Sequence, residues 1–427
     1  MSGLPGSGRW RYDGSQCSFQ SRIKQLFCTP GATDNVYDMD WFPIASPAGV
    51  LATLSGVCAL FYWLEKWTRW RLFQVLPPLA FIYLVPVILS NTGILTSKSS
   101  VYDTMRQLML PMLLVLLLVN VNVGAALRVM GRGVGVMLFG TLGVMLGAPI
   151  GLLAVKQWLG PDAWKAFGSL SGSWIGGTAN MLAVSEMIDT PGTEFGLAVL
   201  ADSTMYSLWL PILLVSKKFA DRFDKFTGVE ADRIERMVEA AHAQRSEPRA
   251  PATRDYLFLF CLALLATWIA DLVANQLPEL QPYLTASTWR ILLITTLGIA
   301  SSFTPLSQIP GSQELGMALI CLFVAQMGAS AELSGVAEQA VPFLIGALLW
   351  IFIHGAFCLL GAWLLRSDLH TAAIGSAANI GGVAAASIVA QYHQPSLVPA
   401  AILMALIGYA IGNYCGYLTA LLCRLVM

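Results

Sequence analysis

Two stretches decide how this chain is read: Ser171–Ala183, SGSWIGGTANMLA, and Ser376–Ile388, SAANIGGVAAASI. Each sets a Gly-Gly pair, Gly176-Gly177 or Gly381-Gly382, inside a weakly apolar segment rich in Ser, Ala, Thr and Asn. Each follows strongly apolar segments and precedes one more. On an offset of 205 residues Ser171 meets Ser376, the glycines meet the glycines, Ala179 meets Ala384 and Leu213 meets Leu418. The chain reads as two related halves.

The surrounding composition fixes the solvent. The 427 residues are 56% hydrophobic and 12% charged, with mean hydropathy +0.65. Soluble domains carry about 25% charge. Lys+Arg equals Asp+Glu at 25 each, so no basic balance points to nucleic acid. A spanning helix needs about 20 apolar residues. Ten runs meet or approach that: 47–65, 73–93, 107–127, 133–155, 195–216, 255–276, 289–304, 314–330, 340–365 and 398–424. The Gly-Gly segments, 167–188 and 371–393, fall outside these ten. The expected fold is an all-α polytopic membrane protein of two inverted repeats, each with five transmembrane helices and one re-entrant or broken-helix hairpin.

The domain reading follows. Residues 1–46 form a polar N-terminal region without the apolar core of a cleaved leader. Its Cys17 and Cys28 read equally well as a disulfide or as two thiols. Residues 47–216 are the first repeat and 255–427 the second. Between them 217–254 holds sixteen of the fifty charged residues, and its center, 230–243, has helical spacing. It reads as a cytoplasmic linker with one surface helix.

Two topologies fit. If each Gly-Gly segment is a hairpin, each half crosses five times and the halves are inverted. If each is a full span, the halves are parallel. The hairpin topology puts Lys66, Arg69, Arg71, Arg128, Arg132, Arg366 and the nine linker bases inside, which agrees in sign with the positive-inside rule. Both termini then lie outside. The Gly-Gly segments are also too polar to face lipid comfortably, and non-helical backbone at membrane depth is tolerated only beside protein or a water-filled cavity.

Such a break exposes backbone N–H groups at a helix N-terminus, which attract anions, and carbonyls, which suit Na⁺. Paired Gly-interrupted segments in matching halves are the sequence pointer to a carrier's binding site. The candidate solute-binding residues are Ser173, Gly176, Gly177, Thr178, Asn180, Ser376, Asn379, Gly381 and Gly382. The competing reading is close helix packing by small residues. For ion coupling the candidates are Asp202 with Ser203 and Thr204, supplying Na⁺ ligands or carrying a proton, and the mid-span amides Asn122 and Gln326. A capping role for Asp202 is the alternative. His354, mid-span in the run 340–365, reads as a satisfied core histidine, with a proton shuttle as the alternative. No Walker A loop, zinc motif or reactive Ser-His-Asp grouping is present, so no enzyme activity and no cofactor beyond a coupling Na⁺ is expected.

With SGSWIGGTANMLAV at Ser171–Val184 and SAANIGGVAAASIV at Ser376–Val389, the chain resembles the YjcL-like family of bacterial and plastid membrane proteins, long labelled a domain of unknown function. The resemblance covers about residues 45–425, and its motifs are specific as a pair and weak singly. That family is similar in layout to the sodium/glutamate and citrate-type symporters. The resemblance implies an elevator-type symporter with a mobile domain holding both hairpins and a scaffold that forms a homodimer. It further implies that Gly176, Gly177, Gly381 and Gly382, with Asn180 and Asn379, line the solute and Na⁺ sites. The expected partners are a small polar or anionic solute and the lipid bilayer of a bacterial inner membrane. A channel or ligand-sensing membrane protein is the rival expectation.

Overall fold

The computed structural model describes residues 42–68, 73, 77–121, 124, 131–229, 249–281, 283–331 and 336–427. These residues are almost wholly helical; their only β pairings are isolated bridges, Ile44–Leu95 and Leu280–Leu284. Apolar runs of this length satisfy every backbone group internally as helices, the form lipid demands.

The first half holds α1 (Pro47–Thr68), α2 (Pro78–Asn91), α3 (Ser100–Leu118, with a widened π turn at Met105–Met109) and α4 (Arg132–Val155). Then come α5 (Ala163–Gly176), α6 (Thr178–Met187), α7 (Gly192–Ser216) and the short α8 (Ala220–Thr227). The second half holds α9 (Thr253–Ala274), α10 (Ala286–Ser302), α11 (Ser312–Ala329), α12 (Val336–Leu364), α13 (Leu369–His393) and α14 (Val398–Val426).

Among the described residues nine helices are long and apolar enough to cross a membrane, and the chain is a multi-pass membrane protein. Two of the ten expected runs form shorter helices, α2 with 14 residues and α10 with 17. The run expected at 107–127 begins at Ser100 and ends at Leu118. Residues 1–41, with Cys17 and Cys28, and residues 230–248, with the linker center 230–243, lie outside the described residues. The described start of the linker is α8, which docks on α13: the Leu369 N–H donates to Asp224 Oδ1 at 2.9 Å.

Both Gly-Gly segments fold back on themselves. In the first, Ser169 Oγ lies 2.9 Å from Thr190 Oγ1, and Lys165 Nζ donates to the Asp189 carbonyl at 3.0 Å. In the second, α13 is one of the nine long helices, yet His370 Nδ1 and His393 Nδ1 are 3.0 Å apart. A straight helix would separate those two residues by about 34 Å at 1.5 Å per residue. We refer to α5–α6 as hairpin 1 and to α13 as hairpin 2.

Helix packing divides the molecule into two bundles. One holds α4, α7, α12, α14 and both hairpins; the other holds α1, α2, α3, α9, α10 and α11. Contacts across the boundary are sparse and run mainly through α6, α7 and α14. The first bundle is closed by small residues. Gly143, Gly147 and Gly151 on α4 recur every four residues on one face, and side chains there would strike His354 and Phe357, Trp350, and Gly346 of α12. Such stripes let membrane helices approach closely. Aromatic rings fill the space beside them: Trp174 of hairpin 1 lies 4.4 Å from Trp350, and Phe167 lies 4.6 Å from Phe343, centroid to centroid. Pairs of this kind each contribute about 0.5–1.5 kcal/mol beyond their burial.

Candidate functional site

The two glycines of each pair have different tasks. The second makes the turn. Gly177 has φ 79°, ψ −178° and Gly382 has φ 61°, ψ −149°. This region of backbone space is essentially closed to residues with a Cβ. The first glycine makes room. A Cβ on Gly176 would lie 2.5 Å from the Gly408 carbonyl oxygen, and one on Gly381 would lie 2.7 Å from the Tyr206 ring. In each pair, then, one glycine satisfies torsion and its neighbour satisfies clearance.

The hairpin tips converge. A Cβ at Gly177 would stand 3.2 Å from the Tyr409 ring, and one at Gly382 would stand 3.1 Å from the Tyr409 hydroxyl. That hydroxyl is turned to the Val383 backbone amide, at the start of the second arm of hairpin 2. Tyr409 lies well inside α14, and the hairpins reach it from opposite ends of that helix. The base of hairpin 2 adjoins the start of α14, through Gln394 and Val398. The base of hairpin 1 adjoins its end: Lys156, just before hairpin 1, donates to the Val426 carbonyl at 2.9 Å, and Arg424 lies over the Trp164 ring at 5.3 Å. Gly408, Gly412 and Gly416 of α14 form a second small-residue stripe, and added side chains there would meet Ile175, Asn180 and Gly172 of hairpin 1.

Most of the polar residues singled out in these segments are buried and bonded. Asn180 Nδ2 donates to the Tyr409 carbonyl at 3.1 Å. Asn379 Nδ2 donates to the Met137 carbonyl of α4 at 3.1 Å, and its Oδ1 lies 3.4 Å from Thr141 Oγ1. Ser376 accepts the Trp209 indole N–H at 2.9 Å and lies 2.9 Å from His354 Nε2. Since Gly140 O can only accept, His354 Nδ1 is the donor in their 2.9 Å contact. The histidine expected to be a satisfied core residue is fully paired. These side chains fix the hairpins against α4, α7, α12 and α14. Thr178, first residue of α6, stays partly exposed at the tip, as does Gly177.

Asp202 differs. It sits midway along α7, and Ser173 of hairpin 1 donates its hydroxyl to Oδ1 at 3.0 Å. The buried Trp174 indole N–H, which completes no hydrogen bond of normal geometry, is turned to the same carboxylate. No basic side chain among the described residues stands in ion-pair contact with it. Apolar surroundings make such a group costly, and residues of this kind mark functional positions in membrane proteins.

The expected ion-coupling set does not assemble. Consecutive helical residues diverge by about 100°, so Ser203 and Thr204 cannot share an ion with Asp202. The Thr204 hydroxyl donates instead to the Leu200 carbonyl at 2.7 Å. Gln326 belongs to the other bundle, where its Nε2 donates to Ser330 at 3.1 Å. Asn122 lies outside the described residues. A cleft of about 760 Å³ between α1 and α11, lined by Cys58, Tyr62, Glu314 and Cys321, contains none of the tip residues.

Sequence reasoning missed Tyr409. One signal was present: the 205-residue offset that aligns the two Gly-Gly pairs also sets Tyr409 opposite Thr204, in the span that follows each hairpin. Sequence comparison adds the kinship. The family model described as a protein of unknown function (DUF819) matches residues 52–425, a range that contains both hairpins, Asp202 and Tyr409. An uncharacterized membrane protein of Bacillus subtilis (strain 168), YjcL, is 29% identical over 345 residues, covering 77% of this chain and 85% of the relative.

Proposed function

The chain belongs to the DUF819 family, and from that premise we propose that it is a secondary active transporter. In this reading it moves a small polar or anionic solute, such as an amino acid, a carboxylate or a short peptide. Na⁺ or H⁺ drives the movement, and no chemical step is catalysed. The single observation that carries the reading is the meeting of two glycine-turned hairpins at Tyr409 from opposite ends of α14. Broken helices that end at depth, with irregular backbone enclosed by protein, are the material of transporter binding sites. The free N–H groups at the start of α6 suit an anionic group.

The division into two bundles supports an elevator-type alternating access. The bundle with both hairpins is internally tight and meets the other through few contacts, as a body that slides against a scaffold requires. The two halves act as inverted repeats, and the scaffold bundle joins two copies into a homodimer. The membrane is a bacterial inner membrane with the charged linker inside and both termini outside, in keeping with the bias of Lys and Arg.

Uptake by proteoliposomes tests the proposal. Radiolabelled amino acids, dicarboxylates and short peptides are offered under an imposed Na⁺ or proton gradient. The expected result is saturable uptake that needs one of the gradients. It is lost in Gly177→Val and Gly382→Val variants that still purify as folded protein. Flux that scales with voltage and does not saturate would instead identify a channel.

A further inference from the structure

Of the two coupling ions, the surroundings of Asp202 favour one, and we propose that Asp202 carries a coupling proton and is not a sodium ligand. This inference rests on the carrier reading above. A sodium ion is held by oxygen lone pairs converging on a point. Asp202 meets the opposite arrangement: a hydroxyl hydrogen from Ser173 at 3.0 Å and the indole N–H of Trp174. An indole nitrogen is a donor only, and a cation beside it would face a positive hydrogen. The nearest hydroxyls along the chain do not help, because Ser203 points elsewhere on the helix and Thr204 is bonded to Leu200.

The groups facing Asp202 from each neighbouring element are few. Hairpin 1 presents Ser173 and Trp174. Tyr206 follows one turn along α7, against Gly381 of hairpin 2. The other titratable groups of the bundle are engaged elsewhere: Tyr409 of α14 lies against Gly177 and Gly382, and His354 of α12 against Gly140 and Ser376. None is a fixed charge, so a charge change at Asp202 is not cancelled by a neighbour.

The arrangement also supplies a consequence of proton binding. The ionised carboxylate accepts from Ser173 and draws in Trp174, which ties the first arm of hairpin 1 to α7 less than two turns from Gly177. Hydronium delivers the proton to one carboxylate oxygen: an O–H bond forms there as one O–H bond of hydronium breaks, and water leaves. That carboxyl oxygen then becomes a donor, one acceptor is lost, and the tie to the arm loosens. Ser173 is the positioning residue in this scheme.

Infrared titration of the full-length protein in liposomes tests this without knowledge of the solute. The probes are the proton and sodium, the latter exchanged for choline. The expected result is a protonated-carboxyl band that titrates in the wild type, is missing in Asp202→Asn and keeps its midpoint when sodium replaces choline. Ser173→Ala, which removes a donor to the ionised form, should keep the band and displace its titration toward higher pH. A midpoint that falls when sodium is added would overturn the proposal, since it means that sodium competes for the carboxylate. So would a band that survives Asp202→Asn. Uptake driven by a sodium gradient alongside a non-titrating Asp202 would sink this assignment and leave the carrier reading standing.

Discussion

The side-chain amide of Asn180 donates to the backbone carbonyl of Tyr409 at 3.1 Å, so the tip of hairpin 1 and the middle of α14 form one body. Asn180 is buried in the bundle, while Tyr409 is half-buried. Interhelical hydrogen bonds in membranes average about 0.6 kcal/mol and reach about 1.7. Asn180→Ala should therefore lower stability by about 1 kcal/mol, read as a drop in the unfolding midpoint in detergent. Asn180→Asp, which keeps the shape but has no donor in its ionised form, should do no better. An unchanged midpoint in both would mean that this contact contributes nothing.

The turn glycines allow a sharper test. Many left-handed turns accept Asn in place of Gly, but Gly177 and Gly382 lie in the region that is essentially glycine-only. Gly177→Asn and Gly382→Asn should then be as damaging as Gly177→Ala and Gly382→Ala, each costing about 1–3 kcal/mol. Thermal unfolding of the four variants would check it. Recovery by Asn alone would place these turns in the ordinary left-handed region.

Hairpin geometry itself can be probed by cross-linking. Ser169 and Thr190 stand 2.9 Å apart through their hydroxyls, although a continuous helix would separate them by about 31 Å. A Ser169→Cys/Thr190→Cys pair in a background without the native cysteines should form an intramolecular disulfide under mild oxidant. The bond should be detectable by a mobility shift after cleavage between the two positions. A pair that never cross-links while the protein stays folded would exclude the folded-back segment.

Tyr409 separates packing from recognition under the carrier reading. Tyr409→Phe keeps the ring that covers Gly177 and removes the hydroxyl turned to Val383. It should change the unfolding free energy by no more than about 1 kcal/mol, near the net contribution of one hydrogen bond. Tyr409→Ala removes the shared wall of both tips and should abolish saturable uptake in the proteoliposome assay. Wild-type uptake kinetics in Tyr409→Ala would remove this residue from the site.

Much of this was legible in the sequence because glycine is the one residue whose purpose shows locally. Two Gly-Gly pairs at a common offset announced two breaks, and the polarity around them argued for hairpins. The division of labour inside each pair was not legible, since clearance at Gly176 is set by Gly408, more than 200 positions away. Tyr409 was hidden for the same reason: nothing beside it in the chain says that two distant turns will meet on its ring. The grouping of Asp202, Ser203 and Thr204 misled because adjacency in sequence is divergence on a helix. Ser173, counted among the solute-binding candidates, is what the fold brings to Asp202.

The two kinds of glycine also set different limits on how this chain can drift. At 176 and 381 the obstacle is a neighbour, and a neighbour can be replaced or can retreat; a methyl group there awaits only a compensating change on the facing helix. At 177 and 382 the obstacle is chirality itself. No substitution elsewhere makes an L-amino acid comfortable in those torsions, so any descendant that retains the folded-back segments must retain an achiral residue at both sites.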